Sequence, residues 1–205
     1  MMPAGFEHTY AGLGPAFSTP QAPDPVSEPQ LLLWNQALAD TLGWSGDPQS
    51  DPAQLAALAG NTPLPNSHPI ATVYAGHQFG QYNPQLGDGR ATLLGEWLTP
   101  AGARFDIQLK GAGPTAYSRG GDGRSPIGPV IREYLVSEAM HALGVPTTRA
   151  LSLVASAGET ATRPWYSGAA RAEAAAPVGR PLVTVPPRAV GPLAPCWRRL
   201  VHSAP

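Results

Sequence analysis

The chain has 205 residues and a formal net charge of −1, enough for one domain with a core and a small appendage. A near-neutral charge gives no polybasic surface, so nucleic acid is not an expected partner, and no apolar run reaches the ~18 residues of a membrane span. With 25 Pro, 23 Gly and only 13% charged residues, long stretches are expected to be loop or extended chain.

Met1–Tyr10 has no basic segment followed by an apolar one, and it is not rich in Arg and Ser, so neither a signal peptide nor a transit peptide is expected. Cys196 is the sole cysteine, which excludes an internal disulfide and a cysteine zinc cluster and makes a reducing cytoplasm the default reading. The reading is of a monomer without membrane contact.

Residues 1–30 are Pro-rich and weakly periodic, and read as an extended arm. Leu31–Leu42 has apolar residues at helical spacing with Gly43 as a stop. Asp51–Leu58 reads as a second short helix, with Asp51 as N-cap, Pro52 at the first helical position and Gly60 beyond the end. Residues 61–70 read as loop and Ala71–Tyr74 as a short apolar run. Arg90–Trp97 and Arg104–Leu109 read as strands paired in a hairpin, because Pro and Gly fill the six residues between them. Asp106 and Gln108 alternate with Phe105, Ile107 and Leu109, which suits a sheet with one wet face. Residues 111–128 read as loop. Pro129–Leu143 is the strongest helix: Gly144 fits its C′ position, Pro146 bars continuation, and Val130, Ile131, Tyr134, Leu135 and Ala142 share a face. Thr147–Val154 reads as another strand. From residue 161 prolines interrupt every run and Glu173 is the only acid, so no packed structure is expected there. The layout is α+β, an antiparallel sheet with one long helix.

Gly87-Asp88-Gly89-Arg90 enters a strand. Glycines there let backbone approach a ligand, and Arg90 could pair with phosphate, although Gly-Asp-Gly is also ordinary hairpin-turn chemistry. Lys110 is the only lysine and ends the next strand; Glu133 lies in the following helix. A Gly-rich turn, a strand lysine and a helix glutamate occur in that order in protein-kinase N-lobes, where the lysine holds nucleotide phosphates and the glutamate holds the lysine. On a helical wheel, Glu138 falls within the apolar stripe and Glu133 off its edge. The competing reading makes both surface acids and Lys110 a strand-end cation. Gly120-Gly121-Asp122-Gly123-Arg124 offers a second phosphate-binding turn or a flexible loop. His77 and His141 have no partners at metal-ligand spacing, and Ser118 and Ser137 lack a His/Asp set for a triad.

Taken together, residues 74–90 (YAGHQFGQYNPQLGDGR), 107–124 (IQLKGAGPTAYSRGGDGR) and 132–154 (REYLVSEAMHALGVPTTRALSLV) closely resemble the selenoprotein O family, called YdiU in bacteria. The resemblance covers roughly residues 6–160 and the blocks are highly specific. It implies a bacterial, cytoplasmic protein with a kinase-like fold that binds ATP with Mg²⁺ or Mn²⁺. ATP lies flipped relative to kinases, and AMP passes to Ser, Thr or Tyr of protein substrates. Nucleotide contacts carried onto this chain are Gly87, Gly89, Arg90, Lys110, Asp122 and Gly123, with Glu133 positioning the lysine. Residues 1–70 then form an N-terminal arm with short helices, 71–160 the kinase-like ATP-binding lobe, and 161–205 an irregular tail.

Residues 126–130 (PIGPV) depart from the family wording. The Asn-Thr-Asp-Asn-like block, which in the family carries the catalytic Asp and the metal-holding Asn and Asp, is not found. Two further phosphate-binding arginines belong just beyond residue 160, and Arg163, Arg171 and Arg180 do not match them. The expectation is therefore an ATP-binding portion that is inactive alone, its tail read in a shifted frame or past a misplaced gene end. The alternatives are a non-catalytic nucleotide-binding or interaction module, a pseudokinase-like remnant, and a gene product that does not fold.

Overall fold

The computed structural model of the chain describes residues 5–164 and 173–185, with side chains described as far as residue 161. The described elements are strands β1 (Gly5–Glu7), β2 (Ser18–Pro20) and β3 (Pro29–Trp34), helices α1 (Gln36–Leu42) and α2 (Pro52–Leu58), and strands β4 (Ile70–Thr72), β5 (Gly76–Gln78), β6 (Gln81–Asn83), β7 (Ala91–Leu98) and β8 (Arg104–Lys110). Helix α3 (Ile127–Ala142) and strands β9 (Arg149–Pro164) and β10 (Glu173–Val185) follow. The main sheet runs β2-β4-β7-β8-β10-β9-β3, with β1 paired to β7, and every pairing is antiparallel. The α+β class holds. None of the described helices is long and apolar enough to cross a membrane.

The segment expected as an extended arm, residues 1–30, is built into the main sheet where it is described: it supplies β1, β2 and the start of β3. Glu96, 4% exposed, explains how the leading segment is held. Its carboxylate accepts from Thr9 N at 2.9 Å, Thr9 Oγ1 at 3.1 Å and Tyr10 N at 2.7 Å, so the buried charge is well solvated by protein.

Helix was expected from Leu31, but Leu31–Trp34 is strand and α1 starts at Gln36. Asn35 sets the boundary. Its Oδ1 accepts from Leu38 N at 3.1 Å, an N-cap bond, and its Nδ2 donates to Ala150 O at 3.1 Å. An unbroken Leu-Leu-Leu-Trp run carries no period that separates strand from helix. The end is as expected: Gly43 is left-handed (φ 72°), and Trp44 N reaches back to Ala39 O at 2.9 Å. Helix α2 also starts as read, with Asp51 accepting from Ala53 N and Gln54 N.

Ile107 and Leu109 on β8 are fully buried with Leu38 and Leu42 of α1, Leu58 of α2 and Leu151 and Val154 of β9. Because side chains alternate along a strand, Gln108 and Lys110 project to the opposite face, where α3 lies. Helix α3 begins two residues before the expected Pro129. Of its expected apolar stripe only Val130 is buried, while Ile131 and Leu135 are 37% and 59% exposed. Val130 and the two ion pairs described below connect α3 to the rest of the fold.

Three further strands, β5, β6 and β10, were not expected. β5 and β6 form a hairpin whose loop residues, Phe79 and Gly80, both have positive φ (54° and 76°), the conformation of a tight two-residue turn. β10 falls in the segment expected to lack packed structure. It fills the slot between β8 and β9, pairing Leu182–Val185 with Asp106–Leu109. Backbone groups pair whatever the side-chain period, and a register shift at Pro177/Val178 accommodates one missing N–H. The remainder of that tail, 165–172 and 186–205, lies outside the described residues. Arg163 and Arg180 fall in β9 and β10, and Arg171 lies outside the described residues.

Candidate functional site

Lys110 closes β8 and faces α3. Its Nζ stands 2.7 Å from Oε1 of Glu133, with the two side chains 30% and 35% exposed. Glu138, the choice of the helical wheel, turns elsewhere: Arg149 donates to it twice, Nε to Oε1 at 3.1 Å and Nη2 to Oε2 at 2.6 Å. The wheel misplaces the pair because it assumes that the apolar stripe meets the core, whereas α3 is clamped by two ion pairs five residues apart.

Burial pushes the Glu138 carboxyl up, but the Arg149 hydrogen bond, one from Asn35, the Arg149 charge and the Ala150 backbone bond together hold it below the usual carboxylate range. A depressed folded pKa stabilises the fold above the ordinary value of about 4.3, and that contribution is lost as pH falls through the folded value. Glu138→Gln is therefore expected to melt below wild type at neutral pH, with the gap closing as pH falls below the ordinary carboxylate value. Thermal melts of both proteins across that range check this; a constant gap would contradict it.

The first glycine turn sits at the entry to β7. Gly87 has φ 63°, and a Cβ there would lie 2.4 Å from Cγ of Tyr117; one at Gly89 would lie 3.0 Å from the Tyr117 carbonyl. Gly87 N donates to Tyr74 O at 3.3 Å, so this residue contributes close approach and not a free donor. Arg90 is exposed and forms no ion pair with a described residue. The second turn is tighter. Gly123 has φ 65°, and a Cβ there would stand 1.9 Å from the Gly113 carbonyl oxygen. Asp122 Oδ1 accepts from Arg124 N at 2.9 Å, and the Arg124 guanidinium reaches Glu159 at 3.3 Å.

A cleft of about 700 Å³ lies between the two turns, lined by Gly87, Gly89, Arg90, Asp122 and Gly123. Lys110 and Glu133 line a neighbouring cleft of about 470 Å³ with Gln108 and Arg132. The hairpin register joins the two: Ala91 is opposite Lys110, and Gly111 N donates to Arg90 O at 2.7 Å. Tyr74, Tyr117 and Ser118 also line the larger cleft, and none of them was singled out as a ligand contact from sequence. Tyr74 is pushed up to about 12, first by burial and then by the charge and hydrogen bond of Asp88, so its hydroxyl stays a donor. Among the described residues no three His, Cys, Asp or Glu side chains gather to hold a metal. The described donor set thus does not fit a divalent cation by itself.

The family model for protein adenylyltransferase SelO matches residues 1–173. A protein nucleotidyltransferase YdiU of Ruegeria sp. (strain TM1040) is 60% identical over 164 residues, covering 80% of this chain and 33% of that protein. Its namesake in Bacillus cereus (strain AH187) is 54% identical over 148 residues, covering 72% of this chain and 30% of that protein. One in Bacillus anthracis is 53% identical over the same length. The chain thus spans about a third of the length of the curated relatives it matches. The family match over most of the chain and the identity to these relatives show that the chain belongs to the SelO/YdiU family of protein nucleotidyltransferases.

Proposed function

We propose that the chain is the ATP-binding lobe of a protein adenylyltransferase, built like a protein-kinase N-lobe. The observation that carries this reading is the Lys110–Glu133 pair, 2.7 Å apart, at the end of the hairpin that also carries Gly87, Gly89 and Arg90. A triphosphate needs fixed positive charge, and a flexible lysine supplies it only when a carboxylate holds it in place. Arg90 and Lys110 take the phosphates, while Gly87, Gly89 and Gly123 let the chain approach them closely. Asp122 orders the second turn through Arg124 N. In the reaction the family implies, a Ser, Thr or Tyr hydroxyl of a protein attacks the α-phosphorus of ATP. The bond to the β-phosphate oxygen breaks, pyrophosphate leaves and the hydroxyl proton is lost to a base. Among the described residues no three His, Cys, Asp or Glu side chains gather to hold a metal, and we assign binding to this chain and the chemistry to other parts of the family's longer chain. One wall of a cleft buries little of a ligand, and the 205 residues are expected to bind ATP no better than about 1 mM, near −4 kcal/mol.

The test is labelled ATP with Mg²⁺ or Mn²⁺ and a mixed protein substrate, with and without a polypeptide covering the remaining length of the Ruegeria relative. AMP is expected on protein only when both polypeptides are present, and not with Lys110→Ala. Labelling by the 205 residues alone would contradict the division of labour. No labelling from the pair, with ATP still bound, would favour a non-catalytic nucleotide-binding module.

A further inference from the structure

Asp88 puts a negative charge between the two glycines of a turn assigned to phosphate, which is electrostatically unfavourable unless the carboxylate faces elsewhere. It does face elsewhere. Oδ2 accepts from Thr72 Oγ1 at 2.5 Å and from Gln108 Nε2 at 3.2 Å, and Oδ1 accepts from Tyr74 OH at 2.9 Å. All three donors are neutral. They come from β4, from the residues just after it, and from β8 two places before Lys110. The backbone of the turn is tied as densely. Asp88 N donates to Thr72 O at 2.9 Å. Thr115 Oγ1 donates to Asp88 O at 2.6 Å, and Ser118 Oγ donates to Gly89 O at 2.5 Å. Asp88 therefore links the first glycine turn to the strand of Lys110 and to the loop that leads into the second turn.

We propose that Asp88 is the positioning residue of the nucleotide site, its carboxylate held by Thr72, Tyr74 and Gln108 so that Gly89 and Arg90 are fixed at the edge of the cleft. The proposal rests on the ATP reading above. A carboxylate with its oxygens occupied by three protein donors is poorly placed to ligate a metal or to accept a substrate proton. Its role is to accept hydrogen bonds, and the negative charge is incidental. Asparagine can fill that role: its carbonyl oxygen takes the place of Oδ2 for Thr72 and Gln108, and its amide donates to the Tyr74 oxygen, since a phenol can accept as well as donate. Alanine cannot, and it leaves three donors without their acceptor.

Titration of the labelled chain with ATP, followed by amide chemical shifts, tests this. Asp88→Asn is expected to bind within about threefold of wild type and Asp88→Ala at least about tenfold more weakly, with inorganic tripolyphosphate weakened in parallel. If Asp88→Ala unfolds, Thr72→Val with Tyr74→Phe removes two of the three donors, keeps the carboxylate and is expected to weaken ATP to the same degree. Asp88→Asn as weak as Asp88→Ala would show that the charge matters and overturn the proposal. Undiminished affinity in Asp88→Ala, or in the double variant, would also overturn it while leaving the ATP reading intact. Wild type that does not respond to ATP overturns both.

Discussion

Lys110→Ala is expected to weaken ATP binding at least about tenfold while changing the melting temperature little. The affinity loss follows from charge-assisted contacts, worth about 1.5–3 kcal/mol each. Removing the lysine also leaves the Glu133 carboxylate unpaired where phosphate charge must come, so repulsion adds to the lost attraction. The small stability effect follows from exposure: with 30% and 35% of the two side chains open to solvent, the pair is a screened surface bridge, worth at most about 1 kcal/mol to the fold. Lys110→Arg is not expected to rescue, because a planar guanidinium does not reproduce a compact ammonium at the end of a flexible stem. Glu133→Gln should cost less than Lys110→Ala, since it frees the lysine without removing it. Calorimetric melts beside an ATP titration separate the two effects. Equal ATP binding by Lys110→Ala would remove Lys110 from the site.

Gly123→Ala is expected to be the most damaging single methyl in the described chain. The new Cβ would lie 1.9 Å from Gly113 O and 2.3 Å from Pro114 N. Both are backbone atoms and cannot swing aside as a side chain would. The left-handed φ of 65° adds its own penalty for a residue with a Cβ. Relief requires the two loop segments to part, which breaks the Gly113 N to Gly123 O contact at 3.3 Å. A loss of about 3 kcal/mol or more is expected, a large share of the ~5–15 kcal/mol that holds a domain. Gly102→Ala is the control. Gly102 has φ 83° but nothing within 4 Å of its added Cβ, so only the conformational penalty of about 1 kcal/mol applies. Urea unfolding of the two variants checks the difference. Equal midpoints would mean that the loop around Gly123 is looser than described.

What could be read from the residues was set by how local the determining interaction is. Caps and stops are local, so Asp51, Pro52 and Gly43 marked helix ends correctly. The β7–β8 hairpin needed only two alternating runs and a Pro/Gly loop. Residue order left Glu133 and Glu138 both open as surface acids; the family resemblance favoured Glu133 as the partner of Lys110, although helical periodicity favoured Glu138. What settles that choice is Arg149, eleven residues beyond Glu138, and no pattern within α3 contains it. Leu31–Trp34 failed for a similar reason, since its strand state is imposed by β9 more than a hundred residues later. β5–β6 was missed because His77, Gln78 and Gln81 have no strand signature. β10 was missed because its place is a vacancy between β8 and β9, which is a property of the sheet. Within the site, the glycines and Arg90 stood out as residue types. Asp88 passed for ordinary turn chemistry until Thr72, Tyr74 and Gln108 were seen around it.

The central claim is that the two glycine turns and the end of β8 form one ATP site. Its most direct measurement is the map of backbone amide shifts as ATP is added to the isotopically labelled chain, up to about ten times the expected millimolar constant. The account predicts that the largest changes fall at Gly87, Gly89, Arg90, Lys110, Asp122 and Gly123, and that they saturate together with one constant. Shifts confined to other surfaces, such as the exposed Ile131 and Leu135 of α3, or no saturable shift at all, would contradict it.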